Sequence, residues 1–271
     1  MRVGLDTLYG GGFPAAAAYF AELADRDSTD PAPVTFEASA YIWWAAALEN
    51  DAYETARIDS LLDLAVTRAR ATSSRPTRDF WLATALGYRA RQRELHGHSW
   101  SAAKDGKAMR DAYARVLAVD SSCADCYLGL GVYQYGLARA GALARLVAKV
   151  VGLGSGNAER GIGYMRRAAT HGDLARVEAT WVLAAALVRE AARDRSQKAG
   201  LERDARHEVA RLAARYPGNP VFRRFLRDVQ SRSVAAAPLY HYCRNPLPCS
   251  GWESNKGRRR PSRSGLGCRS T

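Results

Sequence analysis

The chain has no run of the roughly 18 apolar residues that a helix needs to cross a bilayer. Its first stretch, Met1–Tyr9, holds an arginine, a glycine and an aspartate and no apolar centre, which is not the pattern of a secretory signal. Runs rich in Val, Ile and Thr are short and scattered, which argues against sheet. Cysteine is scarce. Cys123, Cys126, Cys243, Cys249 and Cys268 are an odd number with no regular framework, as in a reducing compartment or a chain in which disulfides play no part. The expectation is a soluble protein, cytoplasmic as given.

What is present is mostly alanine, leucine and arginine, and 271 residues suffice for a sizeable core as one long domain or a repeat array. The formal net charge of +13 is unevenly placed. Residues 1–64 carry 3 Lys+Arg against 11 Asp+Glu, residues 65–242 carry 30 against 15, and residues 243–271 carry 7 against 1. Solvated helix faces account for such a balance; so would an acidic partner or an anionic membrane surface.

Apolar residues recur at helical spacing, in pairs of segments. Phe13–Ala24 is a first helix, ended by Asp30-Pro31-Ala32-Pro33. Val34–Glu49 pairs with Ala52–Arg70, and Thr77–Arg93 with Trp100–Val119. Ala124–Ala138 pairs with Asn157–Thr170, and Leu174–Ala192 with Lys198–Arg215; Pro220–Ser231 starts a further pair. In the segment from Leu201 to Phe222, Ala205, Val209 and Leu212 share one helix face, and Pro217 stops that helix at a tight turn.

This spacing of small and large residues before a proline resembles the B helix of a tetratricopeptide repeat. Tyr127, Leu130 and Gly131 match the first three signature positions of that repeat's A helix, and Gln134 departs at the fourth. Leu86-Gly87 matches the central pair, and Tyr41, Trp44, Ala45 and Leu48 match loosely. Tyr113, Val116 and Ser121 follow the B-helix spacing with serine in place of proline. The small residue lets an A helix approach its B helix closely. The resemblance covers about residues 34–232 in four degenerate units. It implies an all-α fold: a right-handed α-solenoid of helix-turn-helix pairs, with A helices lining the concave side.

Three regions depart from that pattern. Residues 1–33 form an acidic segment in which Phe13–Ala24 looks like a B helix without its A helix. Either its Phe13/Phe20 face packs elsewhere, or the chain begins upstream of Met1, where an export signal would lie. Between Ala138 and Asn157, a short extra helix at Leu143–Val151 and a glycine-rich loop are expected. Residues 233–271 form a basic tail. From Cys243 onward it has no helical period and reads as disordered, with the abrupt composition shift of a non-native reading frame.

Candidate chemistry is sparse. Cys123 and Cys126 with His96 and His98 would supply four zinc ligands, but the cysteines open an A helix where small core residues belong. A redox CxxC calls for a βαβ setting. His241, Cys243 and Cys249 lack the spacing of a zinc knuckle. Gly152, Gly154 and Gly156 have neither a preceding strand nor a Gly-Lys-Ser/Thr, so they read as a flexible linker before a helix capped by Asn157. Ala140–Leu153 could lie on a membrane or a partner, or fold over the groove into the core. Arg203, Arg206, Arg211, Arg215, Arg223, Arg224 and Arg227 alternate with acids and lack interleaved stacking aromatics, so a nucleic-acid face is not expected.

No catalytic constellation, metal site or cofactor is therefore expected. If Tyr127 holds the first packing position, Asp125, Leu128, Val132 and Tyr135 face the groove, and Trp81, Thr84, Tyr88 and Arg91 are their equivalents in the preceding A helix. The resemblance implies a non-enzymatic interaction scaffold that binds a peptide or helix of another protein in this groove. The alternative is a peripheral membrane component using residues 140–153. The A helices carry no Asn at the sites that grip a C-terminal carboxylate in related repeats, so a chaperone-tail receptor is not expected.

Overall fold

The computed structural model describes residues 1–141, 148 and 152–231. Eleven helices and no strand occur among them. They are α1 (Arg2–Tyr9), α2 (Phe13–Arg26), α3 (Pro31–Leu48), α4 (Thr55–Ala71), α5 (Arg75–Leu95) and α6 (Ser99–Val119). Then follow α7 (Cys126–Arg139), α8 (Ala158–His171), α9 (Arg176–Arg193), α10 (Lys198–Arg215) and α11 (Pro220–Gln230). Neighbours in sequence are neighbours in space from α1 to α11, a solenoid-like all-α arrangement.

Local chemistry sets the boundaries. Asp30, Asn157 and Asn219 each accept a hydrogen bond from a first-turn amide, of Ala32 (2.9 Å), Arg160 (2.8 Å) and Val221 (2.9 Å) respectively. Pro31 and Pro33 thus lie in the first turn of α3, where a missing N–H costs nothing, rather than in a linker after α2. Gly131 lies at a close helix–helix contact. A Cβ there would stand 2.8 Å from the Gly161 carbonyl oxygen, so α7 and α8 meet backbone to backbone.

The acidic N-terminal segment holds two helices. Leu5, Leu8 and Tyr9 of α1 are buried and share a face, and α1 supplies the partner that α2 lacked in the sequence reading. The Phe20 ring of α2 then packs on Phe36 of α3 (5.4 Å).

The last helices return to the first. Asn219 donates to the Tyr9 carbonyl (3.0 Å), and the Tyr216 ring lies 6.0 Å from that of Tyr9. Arg224 of α11 donates to the Ala46 carbonyl (2.7 Å) and reaches Glu49 (3.2 Å), which closes the C-terminal end of α3. Trp43 of α3 sits among Tyr9, Trp181 and Phe222, with ring separations of 5.7, 5.9 and 5.5 Å. Every residue from Pro31 to Trp43 is buried. A helix buried on all sides is a central one, and α3 is the post around which the array curls.

Candidate binding cavity

Faces of α5, α7 and α9 line a partly open cavity of about 170 Å³. The structure places all eight groove candidates on its wall: Trp81, Thr84, Tyr88 and Arg91 from α5, and Asp125, Leu128, Val132 and Tyr135 from the start and body of α7. Spacing within single helices did not reveal the rest of the wall. Phe36 comes from α3, and Glu178, Val182 and Arg189 come from α9. Met109 and Tyr113 reach in from α6 and Met165 from α8, through gaps left by glycines. A Cβ on Gly129 would stand 2.4 Å from the Tyr113 ring, and one on Gly87 3.0 Å from the Met109 sulfur.

Aromatic packing holds the wall. Trp81 meets Phe36 (5.6 Å) and Phe80 (5.1 Å) edge to face. The Tyr113 hydroxyl lies 3.0 Å from Thr84 Oγ1, and burial pushes its titration well above the ordinary tyrosine range.

The polar groups are ordered along the helices. Asp125 precedes α7, and its carboxylate accepts from the amides of Asp173 (2.7 Å), Leu174 (3.0 Å) and Ala175 (3.2 Å), just before α9. Toward the other end, the Tyr135 hydroxyl donates to Glu190 (2.9 Å), which also pairs with Arg139. Start thus meets start and end meets end, so α7 and α9 run in the same direction. Glu178 is buried early in α9 and accepts from the Tyr88 hydroxyl. Arg91 and Arg189 stand late on α5 and α9.

The remaining candidates resolve differently. Cys123 and Cys126 are joined in a disulfide, which corrects the expectation that disulfides play no part, and neither is left as a thiolate for a metal. No group of three or more His, Cys, Asp or Glu among the described residues could hold a metal ion. The glycine loop is packed rather than a free linker near its end. A Cβ on Gly156 would overlap the backbone of α7, and the Asn157 amide donates to Gln134 (3.1 Å).

Of the expected helix Leu143–Val151 only Ala148 is described; it is buried, as is Leu153, whose carbonyl accepts from the Tyr133 hydroxyl (2.7 Å). His241, Cys243, Cys249 and the rest of the 233–271 tail lie outside the described residues. Among the basic candidates of α10 and α11, Arg224 is taken by α3, and the other six are exposed. No helix among the described residues is long and apolar enough to cross a membrane. The chain matches no known family model, no curated protein and no solved structure.

Proposed function

We propose that this chain is a non-enzymatic, tetratricopeptide-like binding module whose A-helix cavity receives part of another protein. The observation that carries this reading is the convergence of eight A-helix positions, from two separate repeat units, on one aromatic-walled cavity. An apolar recess with a few placed polar groups is the common form of a recognition site. Its two carboxylates serve as structural ties, Asp125 to the start of α9 and Glu178 to Tyr88.

The size of the cavity limits what enters. An α-helix with its side chains is about 10–12 Å across. An engineered apolar cavity of about 150 Å³ in another protein holds one benzene. A space of about 170 Å³ therefore suits one large apolar side chain of an extended or helical segment, with the remainder of that segment outside. Recognition then works as an anchor residue in a pocket, the arrangement in which a few side chains carry most of the binding energy.

The test is photo-crosslinking in the native cell from a small aliphatic diazirine amino acid placed at Val132. A discrete protein adduct is expected, and a second substitution, Leu128→Trp, which fills the cavity, removes it. An adduct that persists at full yield in the filled variant rejects this cavity as the site.

A further inference from the structure

The cavity is electrically polarised, and its acids are already engaged. Asp125 accepts three amide hydrogen bonds, and Glu178 accepts the Tyr88 hydroxyl. Glu190, next to Arg189 on α9, is held by Arg139 and Tyr135. Arg189 itself is half-buried on the cavity wall and makes no hydrogen bond or ion pair with any described residue. Its place in the last turns of α9 suits the helix dipole. That accounts for a cation at this height, but not for one that lines the same cavity as Trp81, Leu128, Val132 and Val182. Arg91, late on α5, adds a second positive charge to the same wall.

We propose that the occupant is an acidic segment of a partner protein, in which a large apolar side chain enters the cavity while the Asp or Glu beside it pairs with Arg189. The inference rests on the binding-module reading and adds the chemistry of the partner to it. A guanidinium on an apolar wall loses part of its hydration without a compensating acid. A carboxylate arriving with an apolar anchor supplies that acid, and a charge-assisted hydrogen bond in such a setting is stronger than one in open water. The excess of basic over acidic residues through residues 65–242, 30 against 15, draws such a segment in and disfavours a basic one.

The experiment is a ¹⁹F NMR titration of the full chain with capped peptides. Ac-Ala-Phe-Glu-Ala-NH₂ and its Glu→Gln analogue both carry 4-fluorophenylalanine. The glutamate peptide is expected to bind about 10-fold more tightly at low salt, as one charged hydrogen bond at a half-exposed site allows. Arg189→Gln is expected to erase that difference and leave the thermal melt unchanged.

Equal binding of the two peptides to the native chain, or a preference that survives Arg189→Gln, overturns this inference and leaves the cavity reading standing. Binding by neither peptide overturns both. If 3-(4-fluorophenyl)propanoate binds as tightly as the glutamate peptide, the occupant is a small carboxylate and the assignment to a protein segment fails.

Discussion

The two sides of the molecule are held by different means. Where the first and last described helices meet around α3, the core is aromatic: Tyr9, Phe20, Phe36, Trp43, Trp181, Phe222 and Phe225 are all buried in one cluster. Along the α4–α7 side the apolar filling is thinner, with Ala65, Ala83, Ala85, Ala103 and Ala112 among its buried members. There the helices are tied by charge: Asp105 to Arg89 and Arg93, and Asp79 to Arg115. The disulfide lies on this side too. The difference follows from what each side must join. Neighbouring helix pairs need close approach, which small residues provide. Helices far apart in sequence meet here through large rings, as Trp43 does with Trp181 and Phe222. The cavity lies where the two regimes meet, lined by Phe36 from the first and Met109 and Tyr113 from the second.

The largest effect expected is on the aromatic side. Trp43 is fully buried. Trp43→Ala removes its contacts with α1, α9 and α11 at once and should cost about 3–5 kcal/mol. Denaturant unfolding followed by circular dichroism measures it. A loss under about 1 kcal/mol would mean that the return of the last helices to α3 contributes little, and the contrast between the sides would vanish. On the charged side Asp105 is the matching residue, bonded to Arg89 through both oxygens (2.9 and 2.8 Å) and to Arg93 (2.6 Å). Asp105→Asn takes the bonded acid from Arg93 and leaves Arg89, the more buried of the two, with Asp63 alone (2.8 Å). It should cost about 2 kcal/mol, less than loss of a fully enclosed pair because Arg89 keeps one acid and Arg93 remains partly in water.

These contrasts were unevenly legible in the sequence. Helix spacing was plain wherever apolar residues repeat against charged ones, and Ala205, Val209 and Leu212 are indeed the buried stripe of α10. Groove-facing positions on α5 and α7 follow from helical geometry once the packing positions are fixed. The contribution of α9 to the same wall rests on contacts between residues 48 to 90 positions apart, Asp125 with Asp173, Tyr135 with Glu190 and Tyr88 with Glu178. The α1 helix is short, with a glycine and an aspartate among its eight residues, so its signal is weak. The i, i+3, i+4 pattern of Leu5, Leu8 and Tyr9 was there to be read. The Cys123–Cys126 bond is not legible from spacing. Spacing of three fits a disulfide, a metal and two core thiols equally, and only the turn between Asp120 and α7 decides.

That bond offers the next sharpening of the comparison. It closes a loop of four residues, so the entropic model assigns it about 2 kcal/mol, less than a long-range bridge. It also brackets Asp125, whose carboxylate holds the start of α9. Reduction with a dithiol should therefore lower the melting temperature modestly and raise hydrogen exchange at the amides of Asp173–Ala175. The aromatic side should be untouched. Identical melts with and without reductant, in a sample whose thiol count confirms the change of state, would show that the loop holds without its bridge.

The smallest effect expected is a pH dependence on the charged side. Asp79 is buried early in α5 and receives two hydrogen bonds from Arg115, from Nε (3.0 Å) and Nη2 (3.0 Å). Those bonds hold its carboxyl below the ordinary carboxylate range. A group whose titration is depressed by folding adds stability above its unfolded value, about 3.9 for aspartate, and loses it as pH falls through the folded value. The arginine is partly in solvent, so the contribution is on the order of 1 kcal/mol. Asp79→Asn should thus melt lower than the native chain at pH 7, and the gap should close as pH falls below about 4, where the native carboxylate is itself neutralised. An offset that stays constant from pH 7 to pH 3 would assign the loss to side-chain packing instead of charge. The charged side would then differ from the aromatic side only in the size of its residues.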